Sequence, residues 1–241
     1  TIEENITKNI IEINQRVKDT CNRIGRNPNE VKLLLATKTV SAENIKIALN
    51  AGYTLIGENK VQEIKEKFDI LKEIPHEKHF IGHLQTNKIK DILKYEVTCV
   101  QSLDRLDLAE KLHSRLTFQK KNINAFIQVN TSAEESKFGI SPENALELTR
   151  QVSKFDTIKI KGLMTIGLFS EETEKVRKGF QLLKNIQQEI ISENKKNAKM
   201  EELSMGMSGD LETAIEEGAT IIRVGTAIFG QRIYPDSYYW N

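Results

Sequence analysis

The sequence predicts an α/β fold: a single (β/α)8 TIM barrel with an extra N-terminal helix. Three observations carry that prediction. Eight short apolar runs alternate with amphipathic helical stretches from residue 31 onward, and repeated βα units imply parallel strands joined by right-handed crossovers. Runs such as LLLA and AFIQV are continuously apolar, as suits a sheet buried on both faces. Eight units in about 200 residues match the small end of a closed barrel. A doubly wound open sheet is the rival. It needs a glycine-rich turn after its first strand, and LLLATKTVSAEN has none.

The elements follow in order. Ile6, Ile10, Ile13 and Val17 recur at helical spacing and place a leading helix over residues 2–24, which Gly25, Asn27 and Pro28 stop. The strands are VKLLLAT (31–37), YTLIG (53–57), KHFIG (78–82), VTCVQ (97–101), INAFIQVN (123–130), IKIKGLM (158–164), EELSM (201–205) and TIIRVG (220–225). The helices between them fall near 41–51, 59–72, 86–95, 104–120, 141–154, 172–196 and 209–218. Ser41, Ser141 before Pro142, and Ser208 read as helix N-caps. Gly52 and Gly218 sit where C-terminal glycines belong. The whole chain, 1–241, reads as one domain: a leading helix and connection over 1–30, the barrel over 31–230, and an aromatic tail over 231–241 that packs on the barrel. No linker and no second domain are expected.

Composition narrows the function. Of 241 residues, 29% are charged and 39% hydrophobic, which excludes a largely disordered chain. A net charge of +1 leaves no electrostatic footprint for nucleic acid or anionic lipid. No apolar run approaches the roughly 20 residues of a membrane span, and the charged first helix is not a signal peptide. The two cysteines, Cys21 and Cys99, have no ligand spacing. They read as free thiols in a reducing cytoplasm, so disulfide scaffolds and zinc drop out and no metal site is expected.

In such a barrel, chemistry gathers at the C-terminal strand ends. The first end carries Lys38, directly after a buried strand. Desolvation there favours a neutral amine able to form a Schiff base with an aldehyde, although the chain is rich in ordinary surface lysines. SMGMSGD at the seventh end and RVGTAIFG at the eighth each end a strand in glycines and start a helix, at Ser208 and at Gly225-Thr226. Turn-forming glycines would explain either alone; together they read as a phosphate cradle. A lysine aldehyde trap facing a phosphate cradle points to pyridoxal 5′-phosphate, or else to a phosphosugar aldolase. Arg223, two residues before Gly225, shares its strand face. A donor-only guanidinium at a pyridine nitrogen would disfavour protonation of that nitrogen and leave a weaker electron sink; a rim ion pair is the plainer role. Asn59 could reach a ring hydroxyl or simply cap a helix. Met164 could wall a ring or belong to the core. His79 and His83 straddle the third strand end and read as packing or solvent-facing residues. Glu134, Glu135 and Lys137 read as a solvated loop.

LLLATKTV, GENKVQE, HFIGHLQTNK, VQSLDR, NTSAEESKFGI, GLMTIG and LSMGMSGDLETAIEEGATIIRVGTAIFG together resemble the pyridoxal phosphate homeostasis protein family, from about residue 31 to 232. The resemblance implies a barrel akin to the N-terminal domain of alanine racemase. It implies cofactor on Lys38, phosphate at Ser208, Gly225 and Thr226, and Arg223 near the ring nitrogen, with Asn59 and Met164 near the ring. It further implies a cofactor carrier that acts in pyridoxal phosphate homeostasis without robust catalysis, with pyridoxal-phosphate-dependent apo-enzymes as acceptors. Many members carry serine before the lysine where this chain has Thr37, so a hydroxyl is kept. The reading takes the chain as a cytoplasmic monomer. The enzyme rival is an amino-acid racemase, for which Lys38 would be catalytic. It needs a second acid/base opposite the lysine, and the sequence leaves no room for the additional β domain of alanine racemases. An aldolase would want a carboxylate near Lys38, and only Glu58 offers one.

Overall fold

The computed structural model describes residues 1–135 and 137–230. The expected packing of the aromatic tail, 231–241, lies outside the described residues. The eight strands are β1 (Lys32–Ala36), β2 (Leu55–Glu58), β3 (Glu77–Phe80), β4 (Cys99–Leu103), β5 (Ile123–Gln128), β6 (Ile158–Met164), β7 (Ala198–Ser204) and β8 (Ile221–Val224). They pair in sequence order, all parallel, and β8 closes on β1 through Lys32↔Ile221 to Leu35↔Val224. The predicted closed barrel is therefore the observed one.

The helices are α1 (Ile2–Ile24), α2 (Ala42–Asn50), α3 (Val61–Leu71), α4 (Ile89–Lys94), α5 (Leu106–Gln119), α6 (Ala145–Val152), α7 (Thr173–Ser192), α8 (Leu211–Glu216) and α9 (Thr226–Phe229). The α1 helix opens with a capping box between Thr1 and Glu4 and ends at Gly25, whose φ of 78° needs no Cβ. Its apolar stripe, Ile6, Ile10, Ile13 and Val17, is buried, and the helix packs against α2, α8 and α9. Among the described residues, no helix is long and apolar enough to cross a membrane.

The strands bury two separate cores. Residues such as Leu35, Ile56, Val100 and Ile222 face outward into the layer beneath the helices. Leu34, Ile81, Cys99, Phe126, Met164 and Ile221 form a smaller cluster. Alternation puts this second set on the barrel axis. It is a packed interior and not a pore. Both cysteines are buried free thiols, and among the described residues no group of three His, Cys, Asp or Glu could hold a metal.

Three local expectations are corrected. Ser208 does not cap α8. The helix starts two residues later with Asp210 as its N-cap. The Asp210 Oδ1 instead accepts the Met207 N–H at 2.7 Å and ties the turn, while the Ser208 carbonyl accepts from Arg16. Asn59 does not cap α3; Lys60 holds that position. The helix expected to reach 196 stops at Ser192, because Asn194 turns left-handed with φ 51°. The helix start expected at Gly225-Thr226 is observed, since β8 leads at once into α9 with Gly225 as its N-cap.

Candidate functional site

Ordinary strand alternation aims the key residues. Leu34 pairs in register with Arg223, and Leu35 with Val224. Leu34 and Ile221 share the interior cluster, so Arg223 and Gly225 continue the inner face of β8, and Ala36 and Lys38 that of β1. A Cβ on Gly225 would lie 3.0 Å from the Ala36 carbonyl oxygen. The first and eighth strand ends are thus in backbone contact, and Lys38 stands two residues beyond that contact. At the seventh end, the Arg223 N–H donates to the Gly206 carbonyl at 2.9 Å. Gly206 has a φ of 101°, and a Cβ there would sit 2.5 Å from Ala214 Cβ. The loop holding Ser208 is therefore pinned to β8. The structure brings Lys38, Ser208, Gly225 and Thr226 to one mouth from strands remote in sequence. All four are half-buried.

The leading helix braces these loops. Both Arg16 Nε and Nη2 bond the Glu212 carboxylate at 2.7 Å, and Nη2 also reaches the Ser208 carbonyl at 2.7 Å. Asn9 Nδ2 donates to the Ile228 carbonyl at 2.9 Å. The α1 helix therefore holds the loop after β7 and the helix after β8 through one side chain each.

Arg223 is 4% exposed. Its Nη1 donates to Ser204 Oγ at 2.7 Å and its Nη2 to the Thr165 carbonyl at 2.6 Å. Burial pushes its guanidinium down to about 10, opposed by the Asp210 carboxylate. It remains a cation at neutral pH, held by a hydroxyl and a carbonyl. The expected alternative, an ion pair at the rim, is not its observed environment.

Below Lys38 lies a buried charged cluster. Glu58 ends β2 and is 1% exposed. Its Oε1 accepts from Thr37 Oγ1 and, at 3.0 Å, from Lys67 Nζ of α3. Lys67 Nζ also donates to Glu63 Oε1 at 2.7 Å and to the Thr37 carbonyl at 2.9 Å. The same Glu63 oxygen accepts the Thr39 N–H at 2.7 Å. Thr39 itself has a φ of 64°, an unusual conformation for a β-branched residue. The backbone on both sides of Lys38 is thus gripped by α3. Burial raises the Glu58 carboxyl to about 7, with Lys67 opposing and Glu63 adding to the rise. Glu63 is raised as well, again first by burial. The sequence reading noticed Glu58 but missed Glu63 and Lys67. The available signal was position: Lys67 lies on the apolar stripe between Ile64 and Leu71, where a surface lysine does not belong.

A cavity of about 800 Å³ opens on the β2, β3, β5 and β6 side of the mouth, with Lys38, Asn59, Gly82, His83, Asn130 and Thr165 in its wall. Of the residues expected to hold the cofactor, Lys38 and Asn59 line it. Ser208, Arg223, Gly225 and Thr226 lie toward β7 and β8, and Met164 is fully buried in the interior cluster. Lys38 therefore borders both halves of the mouth. His83 stacks on Phe138 with ring centroids 3.9 Å apart, and His79 is buried within the barrel. Lys137 pairs with Glu134 at 3.5 Å yet also lines the cavity, so that loop is more than a solvated one.

Residues 9–233 match the family model for the alanine racemase N-terminal domain. A pyridoxal phosphate homeostasis protein of Aquifex aeolicus is 43% identical over 232 residues, covering 95% of this chain and 100% of the relative. The crystal structure of an unknown protein from Bifidobacterium adolescentis superimposes with a TM-score of 0.89 at 36% identity, covering 95% of this chain and 96% of that one. The structure of PipY from Synechococcus elongatus with PLP bound gives a TM-score of 0.77 at 28% identity, covering 89% of this chain and 100% of that one.

Proposed function

The chain belongs to the family of pyridoxal phosphate homeostasis proteins, and from that premise we propose that it holds pyridoxal 5′-phosphate on Lys38 as a lysine Schiff base and serves as a carrier of that cofactor. The carrying observation is the β8-to-β1 closure. It places the Lys38 strand end against Gly225-Thr226, over a buried Arg223.

The donor set fits the group. The cofactor brings an aldehyde that an amine can hold, a phosphate dianion and a pyridine ring. Lys38 is the amine. The hydroxyls of Ser208 and Thr226, with the amides that open α9, form the anion cradle; the first amides of a helix have no intrahelical partner. Arg223 is the partner for the ring nitrogen. A guanidinium has donors only, so this residue disfavours a proton on that nitrogen and weakens the ring as an electron sink. Asn59 stands beside Lys38 in the cavity wall and is the side chain for a ring hydroxyl. Met164 lies in the apolar floor. The cavity on the β2–β6 side leaves room for an incoming amine next to Lys38.

This arrangement suits retention and hand-over to cofactor-requiring apo-enzymes in the cytoplasm, with little turnover of its own. Purified protein should be yellow. Borohydride should fix the cofactor onto a peptide containing Lys38, and Lys38→Ala should be colourless. Label on another lysine, with Lys38→Ala still yellow, refutes the assignment. Racemization of alanine or serine should not exceed that of free cofactor at matched concentration. A rate in the ordinary enzymatic range would make the protein a racemase.

A further inference from the structure

A chain of buried polar side chains crosses the barrel interior from the bottom of β3 to Arg223. Arg223 Nη1 donates to Ser204 Oγ at 2.7 Å, and Ser204 Oγ donates to Gln101 Oε1 at 2.6 Å. Gln101 Nε2 lies 2.8 Å from His79 Nδ1. His79 Nε2 stands 3.2 Å from Glu77 Oε1, although too poorly aligned to count as a hydrogen bond. Arg223, Ser204, Gln101 and His79 are all buried, while Glu77 is half-exposed at the start of β3.

The guanidinium fixes the direction of every bond. It can only donate, so Ser204 Oγ must accept from it. The Ser204 hydroxyl proton then needs an acceptor, which is Gln101 Oε1. The Gln101 amide nitrogen is thereby turned toward His79, whose Nδ1 must accept. The His79 proton is left on Nε2, facing Glu77. A buried chain that starts at a cation, ends beside a carboxylate and donates in one sense throughout is mutually polarising. The reverse orientation of Gln101 would strand the Ser204 proton among donors, at the cost of an unmade buried hydrogen bond.

Neither Gln101 nor His79 shares a hydrogen bond with Arg223, whose guanidinium bonds Ser204 and Thr165, and neither lines the mouth cavity. We propose that Ser204, Gln101 and His79 are positioning residues that hold the Arg223 guanidinium in one orientation toward the cofactor ring. This rests on Arg223 being the ring-nitrogen partner, so the test separates the two claims.

Two measurements are needed. In the cofactor-free protein, ¹⁵N shifts of the imidazoles, assigned by loss of one set in His79→Leu, should show His79 protonated on Nε2. Protonation on Nδ1 alone reverses the chain and overturns the proposal. In the loaded protein, the visible absorption band is titrated with pH. Arg223→Gln should displace its midpoint. Gln101→Leu, similar in size and one step removed from Arg223, should move it in the same direction by at least half as much. Ser204→Val should do the same, whereas Ser204→Thr, of equal shape with its hydroxyl kept, should stay within a few tenths of a pH unit of wild type. That pair distinguishes a lost hydrogen bond from a packing change, and circular dichroism confirms folding in each. If Arg223→Gln moves the midpoint but Gln101→Leu and Ser204→Val do not, there is no relay. If Ser204→Thr moves it as far as Ser204→Val, the effect is steric and the proposal fails. If Arg223→Gln itself changes nothing, the ring-nitrogen assignment falls, and the relay toward the cofactor falls with it.

Discussion

Replacing Lys67 by Met deletes the ammonium that bonds Glu58, Glu63 and the Thr37 carbonyl while roughly keeping the volume of the side chain. Two buried carboxyls lose their cation. Removing one partner of a buried pair costs about 3–5 kcal/mol. In a domain of this size each kcal/mol is about 2–4 °C of Tm, so the expected fall is about 6–20 °C. The loss should depend on pH, and its sign follows from linkage. The Glu58 carboxyl stands at about 7 in the fold against 4.5 for an ordinary glutamate. Between these values the native state binds more protons than the unfolded chain, so wild-type stability declines as pH rises toward 7 and then levels. Without Lys67, which lowers both Glu58 and Glu63, the decline from Glu58 continues above 7, by about 1.4 kcal/mol per pH unit. The assay is thermal unfolding followed by circular dichroism at pH 5.5, 7 and 8.5. The Lys67→Met defect should be small at pH 5.5 and largest at pH 8.5, and adding Glu58→Gln should recover part of it at pH 8.5. A defect below about 1 kcal/mol, equal at all three pH values, would show that the cluster carries no buried charge, and the reasoning would fail.

Three further outcomes are expected. Ser208→Ala with Thr226→Val should weaken pyridoxal 5′-phosphate by orders of magnitude, since each charge-assisted bond is worth about 1.5–3 kcal/mol, yet leave pyridoxal nearly unchanged; spectral titration of both ligands checks this, and equal loss of both would assign the residues to ring placement or packing. Gly206→Ala places a methyl 2.5 Å from Ala214 Cβ at a φ of 101°, and urea unfolding should show a loss of at least about 2 kcal/mol. Arg16→Gln breaks a pair that is more than a third exposed, so the stability cost should stay near 1 kcal/mol, but the freed Ser208 loop should bind the phosphate form several-fold more weakly; unchanged affinity would mean that α1 does not brace the cradle.

The barrel was legible because apolar runs and amphipathic helices announce themselves by period alone. Boundaries slipped where polar residues turn inward. The fourth strand was expected over 97–101 but runs through Ser102 and Leu103, past a register shift against β5. The α9 helix, at four residues, is too short to show a period, and its start was legible from Gly225-Thr226 alone. Ser208 misled because a second capping residue, Asp210, follows it and takes the Met207 amide. Lys38, Arg223 and Gly225 were legible as strand-end residues, and the structure gathers them at one mouth. The Lys67 cluster was not, because Glu63 and Lys67 at i, i+4 look like an ordinary solvated pair. The place of Lys67 on the apolar stripe is the one sequence signal against that reading, and the approach of α3 to the Thr37–Thr39 backbone shows that the pair is internal. The Ser204–Gln101–His79 chain was likewise hidden, since its members come from three strands and meet only when the barrel closes.

The β1–β8 seam joins residues nearly two hundred positions apart in the chain, and α1 leans on α8 and α9 across an even longer span. During synthesis, β1 emerges early and must wait for its second neighbour until β8 has been made. Lys38 would therefore be exposed on a nascent chain long before Arg223, Gly225 and Thr226 exist to complete its surroundings. A lysine amine traps aldehydes of many kinds, and on the function proposed above only the finished barrel adds an anion cradle to it. On that proposal, selective capture of the phosphorylated aldehyde becomes possible only at the last step of folding, and a stalled or truncated chain lacking β8 would keep the amine while losing its discrimination.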